Sequence, residues 1–197
     1  MIPYYEETIN ILKDSLESIS VENYNNVIEE CVSVLNNGGK IIASGLGKNV
    51  PICEKFVGTL NSLGIDARFL HTNTAIHGDL GIVKKNDIVL LLSKGGNTYE
   101  TVELAELLKK RGTLTWLMTF TENSKSSEIV DKQLIMHLIA EGDEWDIVPN
   151  NSTTIYLIVL QGIAIEIGRR LRVTLDDFKE NHPGGGIGAR LSGKNLW

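Results

Sequence analysis

The chain has 197 residues, of which 42% are hydrophobic and 22% are charged, which is typical of one globular domain with a buried core. Its formal net charge is −6 and it has no basic stripe, which argues against nucleic acid as a partner. The N-terminus lacks the features of a signal peptide, and the longest apolar stretch, 155–165, is too short to span a membrane. We therefore expect a single cytoplasmic domain over residues 1–197 with no membrane contact.

Two helices are predicted before any strand, within residues 1–37. Apolar residues recur at helical spacing in both segments, and Asn36-Asn37-Gly38-Gly39 is a typical helix stop. The two stripes consist of Ile9, Leu12, Leu16 and Ile19, and of Val27, Ile28, Cys31, Val34 and Leu35. Two helices exceed the cover that a small sheet needs, so we expect this pair to contact a second subunit.

Strands and helices alternate through the rest of the chain. Strands are predicted at 40–44, 67–70, 87–92, 113–119 and 132–138, and helices at 51–63, 98–110 and 152–170. This alternation predicts a three-layer α/β/α sandwich with a parallel sheet, in which ligands bind beyond the carboxyl ends of the strands. Residues 182–197 are rich in glycine and are expected to form a surface arm.

The first of these strands runs into a glycine-containing turn, Ser44-Gly45-Leu46-Gly47-Lys48-Asn49. Two glycines let the backbone approach an anion closely, and the N-terminus of the following helix adds unpaired N–H groups. The turn has neither the spacing of a Walker loop nor the third glycine of a dinucleotide fingerprint. A tight turn with a solvated Lys48 is an equally open interpretation.

The third strand runs into Ser93-Lys94-Gly95-Gly96-Asn97-Thr98, which we predict to bind a phosphate and call the cradle. Ser93 and Thr98 offer hydroxyl groups. Gly95 and Gly96 let backbone N–H groups converge, and the dipole of the next helix favours a dianion. Thr98 also suits a plain helix N-cap, and the two roles are compatible.

Further polar residues stand at one helix start and in two glycine contexts. Asn150-Asn151-Ser152-Thr153-Thr154 precedes the long apolar helix, where the hydroxyl groups either contact a ligand or simply cap the helix. His77 and His182 lie in polar, glycine-rich segments and can titrate near neutral pH. His71, at the end of a strand, and His137, within a strand, are assigned structural roles.

Five motifs therefore follow one another along the chain: Gly45-x-Gly47-Lys48, His77-Gly78-Asp79-Leu80-Gly81, the cradle with Glu100, Ser152-Thr153-Thr154, and His182-Pro183-Gly184-Gly185. In this order they resemble the sugar isomerase (SIS) domain family, and most of all its arabinose-5-phosphate isomerases, over residues 38–191. The resemblance implies a flavodoxin-like sheet of five parallel strands, a homotetramer (or dimer) with shared active sites, and no cofactor. Full-length members carry a pair of regulatory CBS domains after this domain. The chain stops at Trp197, so we expect that pair to be absent.

The resemblance also implies an activity, the interconversion of ribulose 5-phosphate and arabinose 5-phosphate through an enediol. Such chemistry needs a base beside C2, a donor for the developing oxyanion and a group that opens the sugar ring. The implied active-site residues are Lys48, His77, Glu100, Glu141 and His182, and the implied substrate contacts are Ser44, Gly45, Ser93, Gly95, Gly96, Asn97, Thr98, Ser152 and Thr153. Which carboxylate or histidine is the base stays open, and zinc bound by the two histidines is an alternative.

Two departures from the family pattern bear on the substrate. The family's Ser-Asn-Ser-Gly-Glu-Thr is replaced here by the cradle sequence, so its second phosphate serine is Gly95, and Lys94 either compensates as a cation or is solvated. After Glu141 the family's Cys-Pro is replaced by Asp143-Glu144. A non-catalytic module that senses sugar phosphates, or an isomerase of hexulose or heptulose phosphates, therefore remains an alternative.

Overall fold

In the computed structural model, which describes residues 1–193, five parallel strands form one sheet. The strands are β1 (Ile41–Gly45), β2 (Ala67–His71), β3 (Ile88–Leu92), β4 (Leu114–Thr119) and β5 (Lys132–Ile135). Their order across the sheet is β2-β1-β3-β4-β5, so the chain changes its direction of travel between β1 and β3. In open parallel sheets this switch point is where ligands bind. The predicted fold class is confirmed.

Between residues 1 and 193 the chain forms eight α-helices, which cover both faces of the sheet. They are α1 (Pro3–Glu17), α2 (Val21–Asn36), α3 (Asn49–Ser62), α4 (Thr72–Ala75), α5 (Tyr99–Arg111), α6 (Asn151–Arg170), α7 (Leu175–Glu180) and α8 (Gly185–Leu191). β3 shows how the layers are made, because its apolar residues are buried on both faces. Ile88, Leu90 and Leu92 pack with α2, α3 and α6, while Val89 and Leu91 pack with α5.

The helix α6 is the central helix that its apolar sequence predicts. It packs against α1, α2 and α3, and Tyr156 on its buried face donates a hydrogen bond to the Met118 carbonyl at 2.8 Å. Its outer face still exposes 47% of Ile165. None of the helices in the described part of the chain has both the length and the apolarity to cross a bilayer.

The N-terminal helices are partly used inside their own chain. Both contact α6, and α2 buries Val27, Ile28 and Cys31 as its predicted stripe requires. In α1 the buried apolar residue is Ile11, whereas Ile9 of the predicted stripe is 51% exposed. The contact of this helix pair with a second subunit stays a prediction.

The predicted end of β5 is wrong in detail. β5 ends at Ile135, and His137 lies outside it, because α1 binds the backbone of His137: its N–H donates to Ser18 Oγ at 2.9 Å and its carbonyl accepts from Ser15 Oγ. The segment after residue 182, for which we predict a surface arm, contains α8, and most of its described residues are exposed. Gly188 packs there so closely that a Cβ would lie 2.5 Å from the His182 carbonyl oxygen. Residues 194–197 of the predicted arm lie outside the described residues.

Candidate functional site

The polar turns predicted from the sequence meet at the carboxyl edge of the sheet. The register pairs Ser44 with Leu91 and Gly45 with Leu92, so the turn after β1 and the cradle after β3 are neighbours. Asn49, at the start of α3, joins them because its Nδ2 donates to the Leu92 carbonyl at 3.2 Å. A Cβ on Gly45 would lie 2.8 Å from the Cβ of Asn49, so this glycine permits the close approach of α3.

The hydroxyl of Ser44 is already engaged. It is buried and shares a hydrogen bond of 3.0 Å with Oγ1 of Thr72, the first residue after β2. This hydrogen bond links the ends of two neighbouring strands, and the contact of Ser44 with a ligand stays a prediction.

The cradle is a hydrogen-bonded turn held at both ends. The N–H of Ser93 donates to the Met118 carbonyl at 3.1 Å, and Ser93 Oγ accepts from the Gly96 N–H at 3.2 Å. The side chain of Asn97 braces the turn: it donates to the Gly95 carbonyl at 3.0 Å and accepts from the Lys125 N–H at 2.9 Å. The backbone of the cradle is thus positioned before any ligand arrives.

The two cradle glycines differ in what their surroundings require. Gly96 has φ +62°, and a Cβ there would lie 2.1 Å from Ser124 Oγ, so only glycine fits. A Cβ on Gly95 would meet no atom within 4 Å. The position of the missing serine therefore has room for a side chain.

The helix that follows the cradle begins with unpaired donors. Thr98 is the N-cap residue of α5, but its side chain makes no capping hydrogen bond. Among residues 1–193, no protein acceptor meets the N–H groups of Thr98, Tyr99 and Glu100. Such a helix start favours an anion through both its N–H groups and its dipole. Glu100, in the first turn, is half-buried beside this position.

Glu141 lies after β5 and is wholly buried at the start of α6. Its Oε1 accepts from Lys94 Nζ at 2.6 Å and from Ser152 Oγ at 2.7 Å. Its Oε2 accepts from the N–H groups of Ser152 at 2.9 Å and Asn150 at 3.0 Å. Thr153 Oγ1 also bonds inside the protein, to the Asn150 carbonyl at 2.8 Å. The hydroxyl groups of Ser152 and Thr153 therefore make hydrogen bonds within the protein, and the carboxylate of Glu141 caps the helix.

Because of these hydrogen bonds to Glu141, the free energy of unfolding is expected to fall at acid pH. Burial raises the pKa of Glu141, but the hydrogen bonds from Lys94, Ser152 and Asn150 outweigh it and hold that pKa below its ordinary value. A carboxyl with a depressed folded-state pKa stabilises the fold above its unfolded pKa, about 4.3 for glutamate, and loses this contribution as pH falls further.

We therefore expect Glu141→Gln to be less stable than the wild type at neutral pH, and the difference to shrink below about pH 4.3. Urea unfolding at a series of pH values measures both free energies of unfolding. Glu122→Gln is the control, because Glu122 is exposed and makes no side-chain hydrogen bond within the described residues. If the difference in the free energy of unfolding between the wild type and Glu141→Gln does not change with pH, the lowered pKa of Glu141 is contradicted.

Lys48 and His77 reach the same edge from other connections. Lys48 is the N-cap residue of α3, is exposed, and makes no ion pair with the described part of the chain. His77 is exposed in the connection that leaves the carboxyl end of β2. The structure thus brings Lys48, Glu100 and Glu141 to one edge, with His77 in a neighbouring connection.

His182 is not among them. Its Nδ1 bonds the Phe178 carbonyl at 2.7 Å, and its ring stacks on that of Phe178 with centroids 4.0 Å apart. The preceding residue, Asn181, donates to the carbonyl of Ser62, the last residue of α3, at 3.4 Å. Because α3 runs back from the carboxyl edge, Ser62 and the neighbouring His182 lie toward the opposite edge of the sheet.

His77 and His182 are therefore apart in one chain. Within residues 1–193, histidine, cysteine, aspartate and glutamate side chains form no group of three or more that could hold a metal ion.

The sequence did not indicate how the segment after Glu141 is organised. Asp143 accepts hydrogen bonds from the N–H groups of Trp145, Ile147 and Val148, at 2.9 to 3.3 Å. Asp146 accepts from the Glu141 N–H at 2.5 Å, with its own φ at +54°. Asp143, which departs from the family pattern, and Asp146 thus build a fixed turn beside Glu141. The closeness of Asp143 and Asp146 to Glu141 in the sequence was the one feature that could have indicated this turn.

Comparison with known proteins agrees with this geometry. Residues 34–167 match the SIS domain. The chain is 31% identical over 186 residues to the arabinose 5-phosphate isomerase KdsD of Pseudomonas aeruginosa, which covers 94% of this chain and 57% of that protein. It is 34% identical over 158 residues to the arabinose 5-phosphate isomerase KpsF of Escherichia coli, which covers 80% of this chain and 50% of that protein. The chain thus spans about half the length of the curated relatives it matches.

A solved structure is also similar to the chain. The structure of E. coli CFT073 c3406 in complex with arabinose 5-phosphate superposes with a TM-score of 0.85 at 28% identity, covering 91% of this chain and 94% of that one. The sequence match, the sheet order and the cradle at the switch point agree, and the chain belongs to the SIS domain family.

Proposed function

We propose that the chain is an aldose–ketose isomerase that interconverts ribulose 5-phosphate and arabinose 5-phosphate in the cytoplasm. The observation that carries the proposal is the cradle at the unpaired start of α5, with Lys48 and Glu100 at the same edge of the sheet. The names of the matched relatives and the sugar phosphate in the matched structure support the choice of substrate.

The phosphate is the group that the cradle suits best. Within residues 1–193, the hydroxyl of Thr98 and the N–H groups of Tyr99 and Glu100 have no acceptor, and they lie at the positive end of a helix dipole. Lys48 adds a positive charge from the turn after β1. The binding energy of the phosphate then holds the reacting end of the sugar in place.

At the reacting end one proton moves between carbons. A carboxylate removes the proton from C2 of the open-chain aldose, the electron pair of that bond forms the C1–C2 double bond of an enediol, and the π pair of the C1 carbonyl moves to O1, which takes up a proton. A proton is then delivered to C1 while the O2 hydroxyl loses its proton and becomes the carbonyl of the ketose, so the product is an isomer and nothing else is consumed. Lys48 stabilises the developing oxyanion, and the histidines open the ring.

His182 enters this scheme from another chain. It lies at the edge opposite to its own cradle, where it stacks on Phe178. We therefore assign it to the site of a partner subunit in a homotetramer (or dimer), which agrees with the exposed Ile9 of α1 and Ile165 of α6.

The experiment incubates purified protein separately with arabinose 5-phosphate and ribulose 5-phosphate and follows both sugars by proton NMR. We expect each sugar to yield the other. Failure of both reactions, while a working isomerase converts them in parallel, would contradict the proposed reaction.

A second function, sensing without catalysis, is favoured by one observation, the absence of a side chain at Gly95. Thermal stabilisation by a sugar phosphate without turnover would identify it. The sugar phosphates tested should include hexulose and heptulose phosphates.

Gly95→Ser is expected to strengthen phosphate binding. The position has open space and no positive φ, so the added hydroxyl can reach the anion without strain. A new hydrogen bond to a charged group contributes about 1.5 kcal/mol, or roughly tenfold in the dissociation constant. Isothermal titration with inorganic phosphate measures the change. Gly95→Ala is the matched control and should leave the affinity unchanged, and equal affinities of the serine and alanine variants would contradict the cradle assignment.

A further inference from the structure

The backbone of Lys94 is fixed at the carboxyl end of β4. Its carbonyl accepts hydrogen bonds from Thr119 Oγ1 at 3.0 Å, from the Phe120 N–H at 3.0 Å and from Thr121 Oγ1 at 3.3 Å. Three donors on one carbonyl leave the Cα of Lys94 little freedom to move. The side chain therefore starts from a defined point within the cradle.

The far end of the same side chain is fixed as well. Lys94 Nζ lies 2.6 Å from Oε1 of Glu141, and Glu141 is wholly buried while the side chain of Lys94 is 45% exposed. An ammonium group has three donors, and the carboxylate takes one of them. The remaining donors of Lys94 stay available, at the exposed side of the pair, to an oxygen of a ligand.

The carboxylate of Glu141 has no free lone pair with which to accept a proton from a substrate. A carboxylate offers about four lone-pair sites. Lys94 and the Ser152 hydroxyl occupy those of Oε1, and two backbone N–H groups occupy those of Oε2. A general base must present a free lone pair to the proton it removes. The hydrogen bonds also hold the pKa of Glu141 low, against the effect of burial, which weakens it further as a base.

Glu100 offers the opposite conditions. It is the second residue of α5, directly after the cradle, and it is half-buried. Its carboxylate accepts no hydrogen bond from the described residues, so its lone pairs are open to a substrate. Both carboxylates stand at the same edge, but only Glu100 is unoccupied.

We propose that Glu141 is a positioning residue that pins Lys94 as a donor beside the cradle, and that Glu100 carries the proton between C1 and C2. The assignment deepens the proposed isomerase function and rests on it. Lys94 thereby supplies the donor that Gly95 lacks. Glu141 stays ionised through the reaction, and Glu100 accepts the C2 proton, exchanges it with solvent and delivers a proton to C1.

Proton exchange at C2 tests the base. Arabinose 5-phosphate is incubated in D2O with wild type, Glu100→Gln, Glu141→Gln and Glu103→Gln, and deuterium at C2 is followed by NMR. We expect Glu100→Gln to slow exchange by about 10²–10⁴-fold. Glu103→Gln, a half-buried carboxylate further along α5, should exchange as the wild type does. Glu141→Gln should retain exchange within about tenfold, with its loss mainly in KM. Retained exchange in Glu100→Gln together with abolished exchange in Glu141→Gln would overturn the assignment.

A second experiment tests the pinning of Lys94 without turnover. Inorganic phosphate is titrated calorimetrically into wild type, Lys94→Arg and Lys94→Met. We expect Lys94→Met to bind phosphate about tenfold more weakly, as for one lost charge-assisted hydrogen bond, and Lys94→Arg to bind nearly as the wild type does. Wild-type affinity in Lys94→Met would overturn the role of Lys94.

The stability of the double variant Lys94→Met/Glu141→Gln, compared with that of the single variants, tests the ion pair. It should be more stable than Lys94→Met alone, because the single change leaves a buried carboxylate without its cation. Additive losses in the two single variants would contradict the ion pair. If the wild type exchanges no proton with any phosphosugar, the proposed reaction fails, while phosphate binding and the double variant still decide whether Glu141 pins Lys94.

Discussion

Gly96→Ala should abolish phosphate binding and destabilise the fold, whereas Gly95→Ala should do neither. Gly96 has φ +62°, and an added Cβ would lie 2.1 Å from Ser124 Oγ and 2.7 Å from Ser124 Cβ. A non-glycine residue in such a conformation costs about 1–3 kcal/mol before the steric clash is included. Relief of the clash must move either the cradle, which disturbs the hydrogen bond from the Gly96 N–H to Ser93, or the segment that carries Ser124, which disturbs the hydrogen bond from the Ser126 N–H to the Gly96 carbonyl.

Urea unfolding and calorimetric titration with inorganic phosphate measure the two effects. Gly95→Ala is a close control because it adds the same methyl group one residue earlier, into open space. Loss of glycine there can even stabilise the fold slightly, by about 0.4–1 kcal/mol, because it restricts the unfolded chain. If both alanine variants bind phosphate as the wild type does, the anion does not lie in the cradle.

His182→Ala and Lys48→Met should each be almost inactive, and a mixture of the two should recover activity. Each change removes a group proposed to act in acid–base or oxyanion chemistry, with an expected loss of about 10²–10⁴-fold in kcat. In one chain, however, the two residues lie at opposite edges of the sheet. If His182 serves the site of a partner, oligomers that contain both variants have about a quarter (tetramer) to a half (dimer) of their sites with both residues intact.

The mixture is prepared by co-expression with two different affinity tags and sequential purification, and its turnover is compared with that of each parent. The control pairs His182→Ala with the double variant Lys48→Met/His182→Ala, which has no intact His182 to contribute. We expect recovery only in the first mixture. No recovery in mixed oligomers of confirmed composition would show that His182 does not act across the subunit contact.

The sequence was sufficient for the parts of the fold that depend on local pattern. The apolar run of β3 and the glycine stop of α2 were predicted to within a residue or two, because burial on both faces and helix termination leave direct marks in the sequence. The end of β5 was missed because it depends on Ser15 and Ser18, more than one hundred residues away. The short helix α7 was also missed, although its capping box, Thr174 with Asp177, was a usable signal.

In the site too, the features that follow from local sequence were predictable, and those that depend on tertiary contacts were not. The place of the cradle follows from its position after β3, at the switch point of the sheet. The pairing of Lys94 with Glu141 joins residues 47 positions apart, and no periodicity connects them. The location of His182 depends on how Asn181 packs against the end of α3, which is a tertiary contact. Residue types indicated the chemistry, but only the packed chain shows which groups are already occupied.

The length of α6 sets a constraint of another kind on this protein. The helix begins at the cap formed by Glu141 and ends shortly before the segment that carries His182, so its 20 residues span about 30 Å between the two. Inserting or deleting a single residue would shift the far end by about 1.5 Å and turn it by about 100°. Both the buried face of α6 and the direction of His182 would then be wrong together. Natural variation in chain length is therefore expected in the connections, for example around residues 143–148, while α6 keeps its length.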